Sequence, residues 1–376
     1  MIDRILLFPY WLTLKLRNLF YDKGWKKSVR AEVPTVCVGN ITVGGTGKTP
    51  HTEMILRTLL QSDRWGYSNI AVLSRGYKRT TKGFQKVPWN AADADLYGDE
   101  PVQIAGKLPI ITVAVDADRV EGCHFLCHPE ALETSKKARR CKDKTLPKAD
   151  IIILDDAFQH RALQADVNIV LIDFNRPLQK DRLLPIGRLR DLPERTRDAD
   201  ILIVTKCPSY LDEWEKGKWA ESLHVSDYSP MTCKGRSSTG KEQTLLFTTV
   251  EYKPMEPVFE EADSRFTYAK RLILFTGIAK DTVLRSYLSD TYKVIKHFSF
   301  PDHHRFSGRD MRRLGKAIQA SPTALVCTTE KDAARLKGNR RTTTLLKQRL
   351  FQIPIEVKFL SEEEKDIFET TLLNLI

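Results

Sequence analysis

The chain has no unbroken apolar run long enough to span a bilayer. Its most apolar stretch lies at the amino terminus, where Arg4, Lys15 and Arg17 interrupt it well short of the ~18 residues a crossing helix needs. No cleavable signal pattern is present, and seven cysteines without framework-like spacing point to a reducing cytosolic compartment rather than a disulfide scaffold. Repeats at a solenoid-like period and long low-complexity tracts are also missing, which excludes stacked-repeat architectures. Acid is in short supply: 48 Asp and Glu face 60 Lys and Arg, a formal net charge of +12 that favours anionic partners such as nucleotides, phosphorylated lipids or an acidic membrane surface. No groove-reading helix or stacking module accompanies that charge, so nucleic acid is not expected among the partners.

What the chain does have is a strand, a glycine-rich loop and a helix start in succession. The apolar run Val33 to Val38 leads into Gly39-Asn-Ile-Thr-Val-Gly-Gly-Thr-Gly-Lys-Thr-Pro50. Small residues let backbone N–H groups close around phosphate oxygens, Lys48 supplies a mobile positive charge, and Thr49 offers a hydroxyl to a magnesium ion. Thr42 stands where the strict phosphate-loop signature has its first glycine, although Gly44, Gly45 and Gly47 keep the loop permissive. A glycine-rich turn with a solvated lysine is the bland alternative.

Short apolar runs at Thr35 to Val38, Ile70 to Leu73, Pro109 to Val113, Ile151 to Leu154, Val167 to Ile172 and Ile201 to Val204 read as parallel strands buried on both faces. The fold class expected is α/β: a phosphate-loop α/β/α sandwich over 31–208, a connecting region over 209–270, and a smaller α/β domain over 271–376. The smaller domain is expected from runs at Arg271 to Thr276, Tyr292 to His297, Ala324 to Thr328 and Ile353 to Phe359. Residues 1–30 form an amphipathic, basic segment with Leu12, Leu16, Leu19 and Phe20 on one face. It reads equally as an interfacial membrane anchor or as a helix docked on the protein's own core.

Several acids carry the chemistry. The strand ending in Asp155 and Asp156 has the form of a magnesium-handling element, one carboxylate holding metal while its neighbour caps the next helix. In Gly98-Asp-Glu-Pro101, Asp99 or Glu100 could orient an attacking hydroxyl; alone, the motif is a helix cap. Phe300-Pro-Asp-His303-His304 offers imidazoles near an aspartate in the second domain. Cys123, His124, Cys127 and His128 crowd four ligands into six residues, which is not a structural-zinc arrangement. Thr329-Glu-Lys-Asp332 is weakly similar to the guanine-reading element of GTPases, which leaves a GTPase or metal-delivery protein as the rival class. The basic segment 133–148 reads as a solvated loop, or as a flap facing phosphate or membrane.

The ordered set Gly39 to Pro50, Leu73-Ser-Arg-Gly-Tyr77, Gly98 to Pro101, Leu154-Asp-Asp-Ala-Phe-Gln-His160, Leu184-Pro-Ile-Gly-Arg-Leu-Arg190, Phe275-Thr-Gly-Ile-Ala279 and Phe300 to His304 resembles the tetraacyldisaccharide 4'-kinase family, the lipid A 4'-kinases of Gram-negative bacteria. The resemblance implies transfer of the γ-phosphate of ATP to the 4'-hydroxyl of tetraacyldisaccharide 1-phosphate, forming lipid IVA. It further implies ATP binding by Val43, Gly44, Gly45, Thr46, Gly47, Lys48, Thr49 and Pro50, and Mg2+ held by Thr49, Glu100, Asp155 and Asp156. Asp99 and His303 would be the catalytic dyad; Arg75, Arg119 and Arg190 would face substrate. A monomer attached peripherally to the cytoplasmic face of the inner membrane is expected. Ala157 departs from the glycine expected after the paired aspartates, and the stretch 122–148 has no counterpart role.

Overall fold

The computed structural model describes residues 2–91, 93–278 and 280–376. Ala279, the last residue of the motif beginning at Phe275, lies outside the described residues, as does the side chain of Arg4. Strands are β1 (Thr35–Gly39), β2 (Ile70–Ser74), β3 (Gln85–Val87), β4 (Thr112–Val115), β5 (Ile151–Asp155), β6 (Val167–Asp173), β7 (Ile201–Thr205), β8 (Ser226–Ser229), β9 (Lys234–Arg236), β10 (Glu242–Tyr252), β11 (Glu256–Pro257), β12 (Arg271–Thr276), β13 (Lys293–Ser299), β14 (Leu325–Thr329), β15 (Leu350–Ile353) and β16 (Ile355–Phe359).

An 11-stranded sheet runs β3-β4-β2-β5-β1-β6-β7-β10-β9-β8, with β16 also on β10. From β4 to β10 its pairings are parallel, and β1, β2, β5 and β7 are buried along their whole length, as continuous apolar runs require. Fully buried side chains pack above and below it in separate clusters, one around Leu73, Phe125 and Leu154, the other around Val36, Ile55 and Phe368. A second sheet, β11-β15-β14-β12-β13, has its own core around Phe275, Leu314 and Leu336.

Two expected boundaries fall elsewhere. The large sheet does not end at 208: β10 pairs β7 in parallel through Thr244 to Phe247, inside the region expected to be a connector. Its polar neighbours in sequence conceal a core strand whose Leu245, Leu246 and Phe247 are fully buried. The run Ile353 to Phe359, expected as one strand of the smaller domain, is broken at Pro354, which cannot donate to a ladder. Before it, β15 belongs to the second sheet; after it, β16 and the helix Glu362–Leu375 return to the first.

The amino-terminal helix Ile2–Asp22 docks on the protein's own core along one face, as one of the two alternatives open from its sequence required. One face docks: Leu14 is buried, Tyr10 Oη donates to the Arg190 carbonyl at 3.1 Å, and Asn18 Nδ2 donates to Asp191 Oδ1 at 3.1 Å. The other face leaves Phe8, Leu12, Leu16 and Leu19 exposed. Among the described residues, no helix is long and apolar enough to cross a membrane.

One buried contact ties the phosphate loop to β10. His51, in the helix Lys48–Gln61, donates from Nδ1 to the Gly47 carbonyl at 2.7 Å and accepts at Nε2 from Thr248 Oγ1 at 3.0 Å, the tautomer those partners require. Burial pushes its pKa down to about 4. The unfolded chain, with an ordinary histidine near 6.5, therefore binds an extra proton between about pH 6.5 and 4, and stability falls as pH falls through that window, by at most ~3 kcal/mol. Urea unfolding at pH 7 and pH 5 is expected to show the loss, and His51→Gln to flatten that part of the profile.

Candidate active site

The loop leaving β1 is built to stay open. Gly44 and Gly47 have φ of 109° and 89°, in the region that favours glycine, and the helix begins at Lys48 with no side-chain cap on Gly47. Amide groups at that helix start are therefore available to an anion. Neighbouring elements hold the loop: Val43 N donates to the Arg188 carbonyl at 2.7 Å, Thr205 Oγ1 to the Thr46 carbonyl at 2.9 Å, Lys206 Nζ to the Gly45 carbonyl, and Asn40 Nδ2 to Thr46 Oγ1 at 2.6 Å. Thr49 is buried, and Pro50 sits in the first turn, where its missing N–H costs nothing. Thr205 and Lys206, at the end of β7, thus brace the loop.

Beside β1, β5 delivers the paired acids. Asp155 is buried, accepting from Ser74 Oγ at 3.0 Å. Burial, then the charges of Glu100 and Asp156, push its pKa up to about 7. Asp156 turns away with φ 52° and meets Arg190, with Nη1 at 3.1 Å from Oδ2, and Lys48, with Nζ at 3.8 Å from Oδ1. Burial opposes ionisation of Asp156, but Lys48 and Arg190 outweigh it and hold the pKa low. Arg190 also donates to the Asn40 carbonyl at 3.2 Å, linking both phosphate-side loops. Arg119 lies behind the acids, buried, with Nη1 donating to the Asp116 carbonyl at 2.7 Å; Arg75 is exposed.

The second sheet faces these groups across a charged junction. The helix Asp99–Lys107 presents Asp99 and Glu100, and the loop after β13 presents His303. His303 Nδ1 lies 2.7 Å from Asp99 Oδ2, so the expected pair does form, between residues 204 positions apart. Burial opposes ionisation of Asp99, yet hydrogen bonds from His303 and Arg335 hold its pKa at about 2. Glu100 Oε1 is 2.8 Å from Lys331 Nζ, whose charge, ahead of burial, lowers the Glu100 pKa. Both cations come from the helix Glu330–Lys337, and neither stood out in the sequence beyond the Thr329 to Asp332 motif.

Other candidates resolve differently. Asp332 is fully buried and bonds Gly277 N at 2.8 Å, so it is not available to read a base. His304 stacks on Phe300 and pairs with Asp310 at 3.0 Å, away from Asp99. Cys123 and Cys127 point into the core, while His128 pairs with Glu32 at 2.7 Å. Among the described residues, no group of three or more His, Cys, Asp or Glu could hold a metal ion unaided. The basic segment is anchored through buried Ala138, Cys141 and Leu146 and the Lys86–Asp143 ion pair at 2.9 Å.

A phosphate-binding loop, acids at the next strand end and a carboxylate–imidazole pair that bridges to the facing sheet together define a phosphate-loop α/β phosphotransferase. The model of the family described as tetraacyldisaccharide-1-P 4'-kinase matches residues 4–376. Curated tetraacyldisaccharide 4'-kinases of Phocaeicola vulgatus and Parabacteroides distasonis are 36% and 38% identical, each alignment covering 96% of this chain and 91% of the relative. The solved "apo" form of LpxK from Aquifex aeolicus in complex with ATP is similar in structure, with a TM-score of 0.68 at 27% identity, covering 100% of this chain and 99% of that one. The chain belongs to the tetraacyldisaccharide 4'-kinase family and is a kinase.

The close approach of the two phosphate-side loops can be tested at Gly39. A Cβ there would stand 2.5 Å from Phe158 Cβ and 3.2 Å from its backbone nitrogen. Gly39→Ala is expected to cost about 1–3 kcal/mol in denaturant unfolding and to raise KM for ATP.

Proposed function

We propose that Lys48, the acid pair of β5 and the Asp99–His303 pair cooperate in transferring the γ-phosphate of ATP to the 4'-hydroxyl of tetraacyldisaccharide 1-phosphate. The family supplies the reaction; the assignment of residues rests on one observation, the 2.7 Å contact between Asp99 and His303 across the two sheets. With Nδ1–H donating to an ionised Asp99, His303 presents Nε2 as the acceptor for the hydroxyl proton. Val43 to Pro50 cradle the phosphates, and Lys48, only 3.8 Å from Asp156, shifts its charge toward them. Arg190 and exposed Arg75 are assigned to the phosphate and the anionic substrate, while Arg119 supports them from beneath.

The residues fit a magnesium ion. Asp155 is crowded by Glu100 and Asp156 and driven up to about 7, and Thr49, at the start of the helix after the phosphate loop, is buried. Magnesium needs only one or two protein oxygens alongside phosphate and water, so Asp155 and Thr49 suffice as direct ligands, with Asp156 and Glu100 flanking. When bound, the ion offsets charge on the β- and γ-phosphates.

The exposed row Phe8, Leu12, Leu16 and Leu19, with exposed Trp25 and nearby basic residues, is assigned to the membrane surface, at the cytoplasmic face of the inner membrane. Because the opposite face of that helix bonds the Arg190 carbonyl and Asp191, the bilayer contact is tied to the loop that carries Arg190. We further assign a monomeric state.

Mass spectrometry of the lipid after incubation with ATP and magnesium is expected to show one added phosphate on the distal sugar. His303→Ala is expected to lower kcat by about two orders of magnitude with KM for ATP nearly unchanged; ATP consumption without phosphorylated lipid would sink the kinase reading. Separately, replacing Phe8, Leu12, Leu16 and Leu19 with Ser is expected to abolish flotation with anionic vesicles while ATP binding persists. Undiminished flotation would place the membrane contact elsewhere.

A further inference from the structure

Arg335 performs a task that neither the phosphate loop nor the acid–imidazole pair accounts for. Its side chain is only 7% exposed, at the junction of the two sheets, and its guanidinium works in two directions. Toward its own sheet, Nη1 donates to Asp332 Oδ1 at 2.7 Å and to the Gly277 carbonyl at 3.1 Å. Toward the large sheet, Nε and Nη2 both donate to Asp99 Oδ2, at 3.0 and 2.7 Å. The same oxygen receives His303 Nδ1. Three donors on one carboxylate oxygen fix the rotation of Asp99, and all three come from the second sheet.

The footing of Arg335 is equally constrained. Asp332 is fully buried, its Oδ2 accepting from Gly277 N at 2.8 Å and Thr329 Oγ1 at 2.7 Å. A Cβ on Gly277 would stand 2.7 Å from Asp332 Oδ1 and 3.3 Å from Arg335 Nη1, so only glycine lets the turn after β12 close on this helix. Two sequence motifs without a role of their own, Phe275-Thr-Gly and Thr329-Glu-Lys-Asp332, are thereby explained as the seat of one arginine. The guanidinium can only donate, so its 3.3 Å approach to His303 Nδ1 does not compete for the imidazole hydrogen that Asp99 receives.

We propose that Arg335 is a positioning residue for phosphoryl transfer: it locks Asp99 against His303 when the two sheets dock, so the pair exists as a unit only with the junction closed. This rests on the reading of Asp99 and His303 as the groups that act on the acceptor hydroxyl. Single-turnover transfer to tetraacyldisaccharide 1-phosphate in detergent micelles, with ATP and magnesium, tests it through a double-mutant cycle. Arg335→Met is expected to lower the rate roughly tenfold to a hundredfold, the scale of a misplaced catalytic group, with KM for ATP unchanged. Arg335→Lys, which keeps the charge but not the fork, is expected to fall between. In the His303→Ala background either change is expected to cost no more than about twofold, because its effect runs through the pair.

Multiplicative losses in the double variant, a parallel rise in KM for ATP, or a wild-type rate in Arg335→Met would each overturn the proposal. Should Arg335→Met not fold, the cycle with Arg335→Lys gives the same decision. A wild-type rate in His303→Ala would instead remove the underlying reading of the pair, and the role of Arg335 with it.

Discussion

Four carboxylates, Asp99, Glu100, Asp155 and Asp156, converge at one end of the large sheet, and the fold must compensate their charge. Asp99 has Arg335, Glu100 has Lys331, and Asp156 has Lys48 and Arg190. Asp155 accepts from the Ser74 hydroxyl and, among the described residues, makes no close ion pair; it alone of the four is pushed upward, to about 7. The pattern is economical physically: unpaired buried charge is expensive, so each acid is either matched to a cation or made difficult to ionise until one arrives. Asp155 is therefore the acid proposed above to hold the metal ion.

Two of these four cations come from the other sheet. Lys331 and Arg335 reach the acids from the second sheet, and Lys107, next to Glu53 at 2.8 Å, pairs with Glu330 at 2.5 Å from the opposite side. The interface between the sheets is thus rich in ion pairs, the polar character usual for contacts between domains of one chain. The amino-terminal helix joins the same network from the other flank, through the carbonyl of Arg190 and the carboxylate of Asp191. One chain segment consequently touches both the surface assigned to lipid and the loop that holds Asp156.

Much of this was legible in the sequence. Continuous apolar runs gave β1, β2, β5, β6 and β7 nearly to the residue, since a strand covered on both faces leaves little room for polar interruption. The phosphate loop and the Asp155–Asp156 pair were legible because their chemistry is local. β10 was not: Gln243, Thr244 and Thr248 are buried polar residues whose partners lie on other elements, for example Gln243 Nε2 donating to the Ala199 carbonyl at 2.8 Å. Arg335 was equally hidden, because an arginine in a helix looks solvated until the opposing aspartate, 236 residues away, is known. The Asp99–His303 pairing came from resemblance, not from spacing.

Because β16 and the final helix return to the large sheet, the smaller sheet is inserted within the larger unit and hangs from it by two adjacent strands of chain, joined where Lys253 N donates to the Pro354 carbonyl at 2.9 Å. Synthesis must therefore pass Leu372 before the nucleotide-binding core can close, since Phe359, Phe368 and Leu372 fill the cluster that also buries Val36 and Ile55. On the ribosome the inserted sheet can be complete while its host is still open, so the part that binds ATP is finished after the sheet it carries.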